Sequence, residues 1–202
     1  MVTPRSSQTA PWYRTTNTEP TESIAGRLLV ASPELGDPNF VRSVVLILEH
    51  GEEGALGVTL NRPVGVDVVE HLPAWSEHLT PPEAVFAGGP VQREMAVGLA
   101  FRPTIPPHEG WNPVLGGVGL IDLSLPPDEV PGVEKLRVFA GYAGWGASQL
   151  ELELVVGSWF VLDALQGDPY DERPEELWRR VLRRQRGATA FYAWYPEDVS
   201  AN

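Results

Sequence analysis

The sequence predicts a single α+β domain built on a curved, mostly antiparallel sheet with a few short helices. Short apolar, strand-like runs recur along most of the chain, whereas helix-period stripes are few and brief. Their irregular order also lacks the strand–helix alternation of a doubly wound parallel sheet. With 202 residues, 43% hydrophobic and 21% charged, the chain has the length of one domain and enough apolar material for a substantial core.

Residues 1–23 are polar, carry Pro4, Pro11 and Pro20, and hold only Trp12 and Tyr13 as large apolar groups. They read as a disordered or loosely attached arm and not as a secretory signal. The folded domain is expected over residues 24–195, with a frayed tail over 196–202. A first strand is expected over 27–31, closed by Ser32-Pro33, with turn signals at Gly36, Asp37, Pro38 and Asn39. Runs 44–48 and 55–60 flank a charged connector containing Gly51 and Gly54, the best hairpin signal in the chain. Asn61-Arg62-Pro63 should end the second of these strands, because Pro63 cannot donate to a ladder and biases Arg62 away from helix.

Asp67 is positioned to cap a short helix over 67–72 that Pro73 would halt. Residues 83–87, Gly88-Gly89-Pro90 and 95–101 then read as strand, glycine turn, strand, and 102–117, dense in Pro and Gly, as a long surface loop. A strand over 119–123 is followed by 136–142, which runs into the glycine-aromatic stretch 141–153 as a strand's end. Residues 150–154 alternate like a half-buried strand. Ser148 and Glu151 nevertheless have capping-box spacing, and Leu150 with Leu154 forms an i, i+4 pair, so helix is preferred, closed by Gly157. A strand over 159–162 follows.

Residues 175–186 give the clearest helix, with Leu177, Trp178, Val181 and Leu182 as its apolar stripe, glutamates early and arginines late. Residues 191–195 read as a final strand or an aromatic plug.

With no cysteine, disulfides, thiolate zinc sites, cysteine-ligated clusters and cysteine nucleophiles are excluded. The net charge is −12, and six of the 15 basic residues fall within 173–186, so the remaining body is strongly acidic and should repel nucleic acid and anionic membranes. No apolar run approaches the roughly 18–20 residues of a spanning helix. A cytoplasmic protein without membrane attachment is the expectation.

Several stretches together resemble one family. Gly26-Arg27-Leu28-Leu29-Val30-Ala31-Ser32-Pro33 is followed by Asp37-Pro38, Phe40, Ser43-Val44, Glu49-His50 and Gly57-Val58 through Leu60-Asn61-Arg62-Pro63. Phe86, Gly88-Gly89-Pro90-Val91 and Gly141-Tyr142-Ala143-Gly144-Trp145 through Gln149-Leu150 and Glu153 come next, in the same order. This set resembles the AlgH/YqgE family, also called UPF0301 or DUF179, over about residues 24–165. The resemblance implies a bifurcated sheet folded into a pseudo-barrel. It also implies kinship with a widespread bacterial family named partly for regulation of alginate synthesis, hence a transcriptional-regulator expectation without a defined reaction. Ser148 stands where the family pattern has Gly.

Candidate sites follow from these motifs. Tyr142 and Trp145 offer flat faces with polar handles to a ligand or partner, although a rigid structural corner is the favoured alternative. Gln149 and Glu153 would share one helix face and could read a polar ligand or fasten the helix. Gly88 and Gly89 resemble a fragment of a phosphate loop but lack its lysine, which favours a structural turn. Asn61 and Arg62 place an amide and a guanidinium at a strand end, suited to an anion.

His50, with Glu49 and Glu52 nearby in sequence and Asp37, Ser32 or Ser43 as companions, is a weak catalytic candidate without a nucleophile motif. His71, His78 and His108 lack metal-ligand spacing, and no metal or cofactor is expected. Arg179, Arg183 and Arg186 share one side of the C-terminal helix, where a solvated face or docking on the acidic body is favoured over nucleic acid. The leading expectation is a non-catalytic regulatory or binding protein acting through protein partners or a small ligand. A hydrolase using His50 with a nearby carboxylate is the second reading, and nucleic-acid binding through the Arg-rich helix the third.

Overall fold

The computed structural model describes residues 23–104 and 110–196; nearly all of the predicted arm and tail, and His108, lie outside the described residues. In chain order the strands are β1 (Arg27–Ala31), β2 (Val44–Gly51), β3 (Gly54–Thr59), β4 (Pro63–Asp67), β5 (Ala84–Ala87), β6 (Val91–Phe101), β7 (Trp111–Leu115), β8 (Val118–Ile121), β9 (Lys135–Gly146) and β10 (Trp159–Asp163). The α-helices are α1 (Gln149–Val155), α2 (Leu177–Arg183) and α3 (Ala188–Phe191).

The strands form one curled sheet in the order β10-β1-β2-β3-β9-β6-β8-β7, with β5 also paired to β9 and β4 to β5. Among the described residues the β5–β9 pairing is the one parallel pairing between named strands, beside an isolated parallel bridge of Leu79 to Leu136. The sheet divides on β9. Residues 135–142 pair with β6, residues 139–140 also with β5, and residues 143–146 cross to β3.

Gly141 makes this crossing possible. Before it, Phe139 faces the central core while Leu136 and Val138 face a second cluster; after it, Tyr142 faces the central core and Ala143 and Trp145 face a third. A strand alternates faces strictly, so this change of parity requires a break, and Gly141 supplies it at φ +69°. Gly88 and Gly89 complete the crossing: a Cβ on either would fall 2.2 Å from the backbone of Gly141 or Tyr142.

The central core lies in the curl between the two halves of the sheet. Leu28, Val30, Leu46 and Val58 enter from one half, and Phe86, Leu99, Leu120 and Phe139 from the other. Helix α2 closes it with Leu177, Trp178, Val181 and Leu182, the stripe expected from sequence. Burying four large side chains on a seven-residue helix explains why so short a helix is stable, since isolated helices of this length are not. Trp178 also donates its indole N–H to the Ala31 carbonyl at 2.8 Å.

Several local expectations are corrected. Residues 67–72 are not a helix: Asp67 ends β4 and its Oδ1 accepts the Val69 N–H at 2.8 Å, giving a single turn. A 3-10 helix starts at Pro73, where helix was expected to stop, because proline's fixed φ and missing N–H suit a first helical position. Pro63 begins β4 as its first residue, a place where a missing donor is tolerated. The expected long loop over 102–117 contains β7, anchored by buried Trp111, with Pro113 on the edge strand of the sheet.

The glycine-aromatic stretch holds the end of β9, which runs four residues further than expected, through Gly146, and then the expected helix as α1. Ser148 caps nothing: it sits at φ +62° with no side-chain hydrogen bond to the helix. That left-handed conformation explains a glycine preference at this position. The helix expected over 175–186 is a 3-10 turn at Pro174–Glu176 followed by α2. Residues 191–194 are helical and not a strand, leaving Phe191 77% and Trp194 70% exposed while Ala193 is buried.

Candidate functional site

The crossing on β9 has an outer consequence. Where β5 leaves β9 and the chain turns through Gly88-Gly89-Pro90 into β6, a cleft of about 350 Å³ opens. Pro38 and Asn39 form one wall, and Arg62 and Val64 a second. Thr59, Ala87, Gly89 and Ala140 contribute to the lining, and Pro90 and Arg93 complete it. Two sequence candidates, Arg62 and Gly89, thus meet here from separate motifs.

Each wall has a local cause. Asp37 Oδ1 accepts the Asn39 backbone N–H at 2.8 Å and its side-chain amide at 3.0 Å, fixing a turn that places Pro38 and Asn39 on the rim. Asp37 is therefore committed to a turn. Asn61 stitches strands: its Oδ1 accepts the Val44 N–H and its Nδ2 donates to the Arg42 carbonyl, both at 2.9 Å. That holds the β3 end against the start of β2 and sets the neighbouring Arg62.

Arg62 donates from Nη2 to the Val41 carbonyl at 2.7 Å, while its Nε is covered and has no hydrogen-bond partner. Burial pushes its pKa below the usual arginine range. Arg93 was missed by sequence reasoning. It lies in a bulge of β6, where residues 92–95 bow out between the Val91↔Tyr142 and Ala96↔Ala140 pairs. Gln92 takes φ +45° to start the bulge, and a Cβ on Gly141 would fall 3.1 Å from the Arg93 Cα. Bulges of this kind re-aim a side chain that regular alternation would send elsewhere. The only signal in the sequence was a polar triplet, Gln92-Arg93-Glu94, set between two apolar runs.

The Tyr142–Trp145 corner is a different object. Tyr142 packs against the central core and Trp145 against the cluster under α1, so the two rings do not form one platform. Glu153 Oε2 accepts the indole N–H of Trp145 at 2.9 Å and that of Trp159 at 2.7 Å. Its Oε1 accepts the Gln149 amide at 3.1 Å, and Gln149 Oε1 accepts the Gly146 N–H at 3.1 Å. Phe40 packs on both indoles, with ring centroids at 6.1 and 5.5 Å. Gln149 and Glu153 share a helix face as expected, and they spend it fastening α1 to the sheet.

His50 lies under the same helix. Its Nε2 is 3.0 Å from Glu151 Oε1 and its Nδ1 accepts the Ile24 N–H at 3.4 Å, which makes Nε2 the donor to Glu151. The carboxylate partner comes from α1, 101 residues away, and not from Glu49 or Glu52. Asp37, Ser32 and Ser43 have no hydrogen bond to His50; the two seryl hydroxyls are buried without partners.

Two arginines of the C-terminal helical segment, Arg180 and Arg184, face the protein's own acids. Arg184 grips Asp168 with two contacts of 2.6 Å, Arg180 meets Asp171 at 2.6 Å, and Arg183 stacks over Trp194 at 4.8 Å. Buried Arg137 binds the Asp171 and Pro81 carbonyls at 2.9 and 2.6 Å and lies 4.4 Å over Phe86. Burial pushes its pKa down to about 10, opposed by Asp171 and Tyr170, so it stays charged at neutral pH. Among the described residues, no group of three or more His, Asp or Glu could hold a metal ion, and no helix is long and apolar enough to cross a membrane.

Comparison with known proteins places this arrangement in a family. The AlgH-like DUF179 family model matches residues 28–190. A UPF0301 protein of Streptomyces coelicolor is 52% identical over 185 residues, covering 89% of this chain and 96% of its own. A crystal structure of a protein from Corynebacterium diphtheriae, 32% identical, superposes with a TM-score of 0.80 over 87% of this chain and 94% of that one. The solution structure of AlgH from Pseudomonas aeruginosa, 31% identical, gives 0.57 over 80% and 87%. The curled, mostly antiparallel half-barrel is thus a shared architecture, and this chain belongs to the AlgH-like, UPF0301 family of proteins.

Proposed function

We propose that this protein is a non-catalytic, cytoplasmic binding protein with a regulatory role, and that the cleft between Arg62 and Arg93 receives its small ligand or a segment of a partner. The observation that carries this reading is the convergence of Arg62 and Gly89, two separate motif residues, with Arg93 on one concave, mixed-polarity surface. The Trp145–Glu153–Trp159 cluster supports the reading by contrast, because its polar atoms are spent internally and it serves as scaffold. The surroundings of His50 favour binding over hydrolysis: both ring nitrogens are engaged, and among the described residues no hydroxyl is hydrogen-bonded to the ring. Arg180 and Arg184, held on Asp171 and Asp168, and Arg183, stacked over Trp194, favour a docking role over nucleic acid for that segment.

Capture tests the proposal. Metabolites and proteins retained by the full chain are compared with those retained by Val64→Trp, a change at a wall residue that is 49% exposed and so should leave the fold intact. Loss of a specific metabolite or partner in the folded variant is the expected result. Unchanged capture by wild type and variant would contradict the cleft as the binding site.

A further inference from the structure

We infer that the cleft between Arg62 and Arg93 selects oxyanions, taking a small molecule with a phosphate or carboxylate head group on a short apolar body. This rests on the cleft being the binding site proposed above and names the chemistry it selects.

Charge distribution gives the first argument. The chain has 27 acidic residues against 15 Lys and Arg, yet among the described residues no acidic side chain lines this cleft and two arginines do. Four other arginines find carboxylates: Arg27 meets Asp163 at 3.1 Å, Arg173 meets Glu176 at 3.3 Å, and Arg180 and Arg184 meet Asp171 and Asp168 at 2.6 Å each; Arg137 and Arg183 instead lie over the Phe86 and Trp194 rings. Arg62 and Arg93 make no ion pair among the described residues. Two uncompensated cations in a concavity of an acidic protein form a local positive focus that an anion would neutralise.

Geometry gives the second. Arg62 is oriented by its bond to the Val41 carbonyl, so its fork is fixed before a ligand arrives. A preoriented guanidinium binds a planar or tetrahedral oxyanion with less entropic loss than a free one. Backbone strain lies on both sides. Among the described residues, three non-glycine positions have left-handed φ; Arg42, at +53°, closes the turn bearing Pro38 and Asn39, and Gln92, at +45°, opens the bulge bearing Arg93. Strained backbone that aims residues at a common space is a recurring property of ligand clamps.

Shape gives the third. A volume of about 350 Å³ admits a small molecule, and Pro38, Val64, Ala87 and Pro90 give it apolar walls beside the two cations. The ligand is therefore amphiphilic on a small scale: an anionic head at the arginines and a compact apolar body against the prolines and valine.

Isothermal titration of the full chain with phenyl phosphate, benzoate, inorganic phosphate and uncharged benzamide tests the inference. At least one of the two aromatic anions should bind saturably and more weakly as salt rises, and benzamide should bind at least about tenfold more weakly. The tighter of the two anions identifies the head group as phosphate or carboxylate, and inorganic phosphate shows how much affinity the apolar body adds. Arg93→Gln, at an exposed position, should reduce anion affinity about tenfold or more, and Arg62→Gln likewise, while Arg27→Gln, outside the cleft, should leave it unchanged. Benzamide binding as tightly as the anions would overturn the inference while leaving the cleft as a binding site. Absence of saturable binding by either aromatic anion, or anion affinity unaltered by Arg93→Gln, would also overturn it, and the capture comparison then decides the binding-site reading separately.

Discussion

Gly89 packs directly on the backbone of Tyr142: a Cβ added to Gly89 would lie 2.2 Å from the Tyr142 carbonyl carbon. The same contact that lets the sheet divide on β9 therefore also shapes the floor of the cleft. Scaffold and candidate site share one structural cause.

Gly89→Ala should be strongly destabilising, by more than about 3 kcal/mol, because the clash is with backbone that cannot rotate away. Gly36→Ala, where nothing lies within 4 Å of the added methyl, is the control and should change stability by less than about 1 kcal/mol. Urea unfolding of both variants measures the difference. Near-equal effects would remove the backbone crossing as the reason for the glycine.

Glu153→Ala should cost about 2–4 kcal/mol, since it leaves two nearly buried indole N–H groups without their acceptor. Glu153→Gln keeps a carbonyl acceptor and should cost about 1 kcal/mol. Neither change should alter anion affinity in the folded protein, because Glu153 does not line the cleft. Paired denaturation and titration measurements separate the two effects.

Ser148→Gly should stabilise the protein by about 0.5–1 kcal/mol. The left-handed backbone costs serine about 1–2 kcal/mol, part of which glycine returns as unfolded-chain entropy. Ser148 offers no capping hydrogen bond in compensation. Thermal unfolding of the variant checks the sign.

Much of this architecture was legible in the sequence, and the boundary is physical. Short-range patterns transferred well: the apolar run that became β1, the Gly51–Gly54 hairpin and the Leu177, Trp178, Val181, Leu182 stripe all depend on local periodicity. Asp67 and Ser148 misled because a capping residue type records a local preference that backbone conformation can overrule. Arg62 and Gly89 could be named as motif residues, but their meeting depends on β5 returning beside β9, which no local pattern encodes. Arg93 depended on a bulge register, and the Glu151 partner of His50 on a separation of 101 residues.

Glu49 provides a pH-dependent check on the body of the sheet. Burial raises its carboxyl pKa above the ordinary range, so the folded state holds this proton more tightly than the unfolded state. Its contribution to stability is full below the unfolded carboxylate pKa and is lost as pH rises through the higher folded value. Glu49→Gln should therefore be more stable than wild type at pH 7, with the difference shrinking on acidification through the carboxylate range. Unfolding free energies of the pair across that range measure it; a constant difference would contradict the assignment to Glu49 ionisation.

The most direct test of the central claim is a backbone and indole amide NMR titration of the full chain with phenyl phosphate. The account predicts saturable shifts concentrated at Arg62, Gly88, Gly89 and Arg93, reached only at about tenfold or more higher ligand concentration in Arg93→Gln, with the Trp145 and Trp159 indole signals unmoved. Shifts concentrated on those two indoles and on Gln149, with the cleft amides silent, would contradict it.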